Sequence, residues 1–101
     1  MIRVLIAEDM HMIRGALVAL LSLEEDMEVV AELDRGDSIV TTALETRPDV
    51  AVLDIDLPGL DGLTAAGELH EKLPSAKILV LTGLSQPGVL LRALQAHGLA
   101  N

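Results

Sequence analysis

Val50-Ala51-Val52-Leu53-Asp54-Ile55-Asp56-Leu57-Pro58-Gly59-Leu60-Asp61-Gly62 runs from an unbroken apolar segment into a loop of acids and turn formers. Val50 to Leu53 is apolar at every position, so it reads as a strand covered on both faces, as in a parallel sheet. The run stops at Asp54. Asp54 to Asp61 is rich in Asp, Pro and Gly, the residues that make turns. Gly62 to Leu73 then shows a helical pattern, broken by Pro74. The segment is therefore a strand, a polar loop and a helix in succession.

The same unit recurs on both sides. Ile2 to Ala7 is a strand candidate stopped by Glu8 and Asp9. Met10 to Leu23 follows with helical spacing, with Ile13, Ala16, Leu17, Leu20 and Leu21 on one face. Glu28 to Leu33 is a second strand. Gly36-Asp37-Ser38 reads as a turn with Ser38 as N-cap. Ile39 to Thr46 is a second helix whose inner face is Ile39, Val40, Ala43 and Leu44, stopped by Arg47-Pro48. Lys77 to Leu81 is a fourth strand. A fourth helix is expected with Ser85 as its cap, Pro87 in its first turn and Gly98 at its C-terminal end. The order βαβαβαβα argues for an α/β fold, a doubly wound parallel sheet with helices on both faces.

The chain has 101 residues, enough for one domain over residues 1–101. Half of them are apolar and none is aromatic, so the core is built of branched aliphatics. There is no cysteine, which removes disulfides and thiolate metal sites and is compatible with a reducing cytoplasm, the compartment expected. The net charge is −9 and the seven basic residues are scattered, which speaks against nucleic-acid binding by this segment. Glu24-Glu25-Asp26 reads as a solvated charge run. No secretory leader is visible, no apolar run approaches the ~20 residues that span a bilayer, and no membrane partner is expected. His11, His70 and His97 lie on three different expected helices without metal-ligand spacing and read as surface or boundary residues.

In an open sheet of this kind the active crevice lies outside the carboxyl ends of the strands. Glu8 and Asp9 close the first strand, Asp54 closes the third with Asp56 two residues on, and Thr82 closes the fourth. Singly, each has an ordinary reading. Asp9 could cap a helix, Asp54 could be a turn residue, and Thr82 suits any strand. Together they form an oxygen-only cluster at one sheet edge. Carboxylates so placed repel unless a cation sits among them. Such ligands suit Mg²⁺ or Ca²⁺, and room for water and a phosphate favours Mg²⁺. An aspartate there can serve as a nucleophile forming an aspartyl-phosphate, with the Thr82 hydroxyl donating to a phosphoryl oxygen.

Glu8-Asp9, the run Val52 to Gly62 and Leu81-Thr82 together resemble the receiver domain of bacterial two-component response regulators, in order over residues 2 to about 97. The resemblance implies a flavodoxin-like receiver fold with strand order 2-1-3-4. It makes Asp54 the phosphoacceptor, supplied by a histidine kinase. It makes Asp9 a direct Mg²⁺ ligand, Glu8 a ligand mostly through water, and Asp56 a ligand through its backbone carbonyl. Thr82 becomes the switch hydroxyl, with Gly83 leaving space beside the phosphoryl group. The Leu57 to Gly62 loop is similar to the branch whose receivers precede a helix-turn-helix DNA-binding domain, so DNA is expected as a partner only through a domain absent here. The family's fifth strand, its lysine and its fifth helix have no counterpart before Asn101. That makes the fourth strand an apolar edge and leads us to expect a homodimer through that strand or the fourth helix. Two other readings compete. Asp54-Ile55-Asp56 resembles the nucleophile pair of Mg²⁺-dependent haloacid dehalogenase-type phosphatases, although there the pair follows the first strand. A dimerisation scaffold that is never phosphorylated is the other.

Overall fold

The computed structural model describes residues 1–81. Four strands, β1 (Ile2–Ala7), β2 (Met27–Leu33), β3 (Val50–Asp54) and β4 (Lys77–Leu81), form one sheet in the order β2-β1-β3-β4. All three pairings are parallel. Three helices connect them: α1 (His11–Ser22), α2 (Ile39–Thr46), which follows a single 3₁₀ turn at Gly36–Ser38, and α3 (Gly62–Lys72). The doubly wound parallel sheet is as the alternation of strands and helices implies, and the strand order 2-1-3-4 is as the family resemblance implies. Thr82, Gly83, Ser85, Pro87, His97 and Gly98, and with them the expected fourth helix, lie outside the described residues.

The side-chain alternation of the strands creates two cores. Val4 and Ile6 of β1, Val52 of β3, and Leu79 and Leu81 of β4 pack with Leu17 and Leu21 of α1. Leu5 and Ala7 of β1, with Ala51 and Leu53 of β3, pack on the other face with Ile39 and Ala43 of α2 and Ala65 and Leu69 of α3. Both faces of β3 are covered, which is why its sequence is apolar without interruption.

Some local expectations are corrected. Ala16 is exposed and Leu44 is 40 % exposed, so neither belongs to the inner face of its helix. Each sits on the rim of a stripe whose centre is taken by Leu17 and Leu21, or by Ile39 and Ala43. Ser38 precedes α2, but its side chain does not cap it; the Ser38 hydroxyl donates back to the Arg35 carbonyl at 3.2 Å and closes the 3₁₀ turn instead. The third strand runs one residue further than expected, so Asp54 is its last member.

Arg47 ends α2 in the left-handed region, with φ 51° and ψ 61°, directly before the buried Pro48. A residue with a Cβ costs about 1–2 kcal/mol in that conformation, and glycine costs none. Arg47→Gly is therefore expected to stabilise the protein by about 0.5–1 kcal/mol, net of glycine's greater unfolded-state entropy. A thermal melt at fixed pH measures it, and a lowered midpoint would contradict it.

Candidate functional site

The C-terminal ends of β1 and β3 are adjacent because those strands pair in register, Ala7 opposite Leu53. The chain leaving each end is held to its neighbour. Glu8 N–H donates to the Leu33 carbonyl at the end of β2 (2.9 Å), and Ile55 N–H donates to the Leu81 carbonyl at the end of β4 (3.3 Å). Backbone bonds thus fix Glu8 and Asp54 at the same sheet edge before any side chain is considered.

Three of the expected residues meet there. One carboxylate oxygen each from Glu8, Asp9 and Asp54 lie within 4.8 Å of one another. Opposite ligands in an octahedral Mg²⁺ shell are about 4 Å apart, so the spread matches a site shared with water. Asp54 is 8 % exposed and Glu8 is fully buried, whereas Asp9 is exposed. The Asp56 side chain is exposed and is not among the gathered carboxylates.

Glu8 has an unusual environment. Its Oε1 accepts from Met10 N–H at 3.0 Å, while its Oε2 is buried without a hydrogen-bond partner among the described residues. A buried, unpaired carboxylate oxygen is costly. Burial pushes the Glu8 carboxyl up to about 7. The adjacent Asp54 carboxylate and the negative charge of Asp9 push the same way, while the Met10 N–H opposes them. A divalent cation would supply the positive charge that the orphaned oxygen lacks. The all-oxygen donor set and this oxygen together fit a hard cation such as Mg²⁺.

Two supporting residues escaped the reading of the sequence. Arg14, on the first turn of α1, donates from Nη1 to the Glu8 carbonyl at 2.8 Å, and its Nη2 lies 3.3 Å from His11 Nδ1. A cation one helical turn beyond an acid pair was the available signal. Asp61 caps α3, accepting from Thr64 N–H (2.9 Å) and from the Thr64 hydroxyl (2.8 Å). The spacing of Asp61 and Thr64 just before a helical pattern could have shown it. His11 and His70 are exposed, as read.

Residues 4–99 match the response regulator receiver domain family. The chain is 45 % identical over 96 residues to the transcriptional regulatory protein DesR of Bacillus subtilis, covering 95 % of the chain and 47 % of DesR. It is 43 % identical over 100 residues to the transcriptional regulatory protein YvfU of the same organism, covering 97 % of the chain and 50 % of YvfU. The chain thus spans about half the length of the curated relatives it matches. Its fold superposes on a DNA-binding response regulator of the LuxR family from Staphylococcus aureus with a TM-score of 0.77 at 32 % identity, covering 95 % of this chain and 79 % of that one. A match of this extent, on a sheet of this order, means that the chain belongs to the response regulator receiver domain family, with transcriptional regulators among its relatives.

Proposed function

We propose that Asp54 accepts a phosphoryl group from the phosphohistidine of a partner kinase, and that residues 1–101 act as a switch in two-component signalling rather than as a turnover enzyme. The observation that carries this reading is the gathering of the Asp54 carboxylate with Glu8 and Asp9 beside one buried, unpaired oxygen.

In the transfer, an Asp54 carboxylate oxygen attacks phosphorus. The P–N bond breaks, its electron pair returns to the imidazole nitrogen, and an acyl phosphate remains on Asp54. Glu8, Asp9 and Asp54, with the Asp56 carbonyl, would hold Mg²⁺. The chemistry that ion supplies when bound is neutralisation of the phosphoryl oxygens, which three carboxylates would otherwise repel. β3 and the bond from Ile55 N–H to Leu81 hold Asp54 at the crevice. Thr82, the residue after β4, would donate its hydroxyl to a phosphoryl oxygen. The transcriptional output belongs, on this reading, to a further domain that contacts DNA, and the setting is the cytoplasm. Among the described residues no helix is long and apolar enough to cross a membrane. Self-association through the fourth strand or fourth helix belongs to the same proposal; light scattering of concentrated protein that detects only a monomer would remove it.

Incubation with an acyl phosphate donor and Mg²⁺ is expected to add the mass of one phosphoryl group to the protein and none to Asp54→Asn. Beryllofluoride with Mg²⁺ is expected to shift the amide resonances around Asp54. Silence in both, at millimolar Mg²⁺, would favour the unphosphorylated scaffold. Sustained hydrolysis of a phosphate ester, lost in Asp56→Asn, would favour the phosphatase.

A further inference from the structure

The loop that follows Asp54 is held from outside the acid cluster. Gly36 N–H, leading into the turn before α2, donates to the Pro58 carbonyl at 3.0 Å. Gly36 itself approaches so closely that a Cβ there would collide with the Leu60 backbone. On the far side of this contact, Arg35 grips Asp37 through two bonds, Nε to Oδ1 at 3.0 Å and Nη2 to Oδ2 at 3.2 Å. That fork lies against Gly59. A Cβ on Gly59 would fall 2.6 Å from Asp37 Cγ and 2.7 Å from Arg35 Nη2, and Gly59 has φ +83°, where glycine is at ease.

The fork lies outside both cores. Both of its side chains are about half exposed, and a pair so exposed adds little to stability. The bidentate geometry nevertheless makes it a stiff, planar block. It rests on the loop whose backbone includes the Asp56 carbonyl.

We propose that the Arg35–Asp37 fork, seated against Gly59, is a positioning clamp that keeps residues 55–61 in the shape required for Mg²⁺ and phosphoryl binding beside Asp54. The inference rests on the reading of Asp54 as acceptor and adds two residues that touch neither ion nor phosphate. Partners that orient a metal-binding group from behind it typically change affinity by tenfold or more when removed.

The test uses the 101-residue chain, titrated with beryllofluoride and Mg²⁺ and followed by amide resonances, together with thermal melts in EDTA. Arg35→Ala and Asp37→Ala are each expected to weaken binding about tenfold. Their metal-free melting midpoints should stay within about 4 °C of the parent. The double variant is expected to be no worse than either single one, because one device is lost once. Exchanging the two charges, Arg35→Asp with Asp37→Arg, is expected to recover part of the affinity. Single variants that bind as tightly as the parent would overturn the clamp while leaving Asp54 as acceptor. Midpoint and affinity that fall together, without recovery in the exchanged pair, would reduce it to a structural contact. A parent protein that gives no response would overturn the Asp54 reading itself, and the clamp's role with it.

Discussion

Glu8→Gln is expected to stabilise the metal-free protein at pH 8, to leave it unchanged near pH 4, and to weaken Mg²⁺ binding at neutral pH. The sign follows from linkage. The Glu8 carboxyl stands at about 7 in the folded chain against an ordinary 4.5. Between these values the folded state holds a proton that the unfolded state has lost, so stability falls as pH rises through that window. Below it the carboxyl is neutral in both states and costs nothing. Above it the full penalty is present, of the order of 3 kcal/mol. Glutamine keeps the shape and cannot ionise, so the difference between parent and variant isolates this one group from the other carboxyls. On the proposed Mg²⁺ site, adding the ion is expected to reverse the ranking, because the parent would gain stability from it and the variant has lost a carboxylate. The same proton makes Mg²⁺ affinity fall as pH drops below about 7, since the ion must displace it. Denaturant unfolding at pH 4, 6 and 8, in EDTA and in Mg²⁺, measures all of this. A parent-minus-variant difference that is flat with pH would show that Glu8 is not the strained group.

A second large effect is expected from one substitution made at two places on α3. Gly62→Ala should destabilise by about 2–4 kcal/mol, whereas Gly67→Ala should stabilise by about 0.5–1 kcal/mol. At Gly62 a Cβ would collide with the Asp54 carbonyl and lie 3.0 Å from the Ile55 Cα. Those neighbours are backbone and cannot swing aside, so either α3 or the end of β3 must move. Movement there also breaks the bond from Gly62 N–H to the Ile55 carbonyl (2.8 Å) and displaces Asp54, so the phosphoryl uptake proposed for it should fall with stability. At Gly67 a Cβ meets nothing within 4 Å, and the helix gains alanine's better propensity. Thermal melts of the two variants give the comparison. Equal effects of either sign would mean that the close approach at Gly62 is relaxed in solution.

The elements were legible because their signals are local. β3 shows itself by an apolar run that ends at an acid, and α3 by a helical pattern between Asp61 and Pro74. The candidate site was partly legible for a topological reason: a parallel sheet sends the ends of its strands to one edge, so acids that close neighbouring strands can come together there. Glu8, Asp9 and Asp54 do meet. Ala16 and Leu44 depart from the helical pattern because periodicity defines a stripe along a helix, while the helix's seating on the sheet decides which rim residues stay in water. Ser38 departs from the capping pattern because its hydroxyl donates to the Arg35 carbonyl instead of accepting from an N–H of the helix it precedes.

Local patterns along the chain are enough for the succession of strands and helices, the aliphatic core on both sheet faces and the acids that end the strands. These depend on neighbours a few residues away. Tertiary structure alone decided that Glu8 rather than Asp9 is the buried acid, that one of its oxygens has no partner among the described residues, and that Gly36 and Gly62 lie against backbone. Burial and close approach are set by segments distant along the chain, and no local pattern contains them.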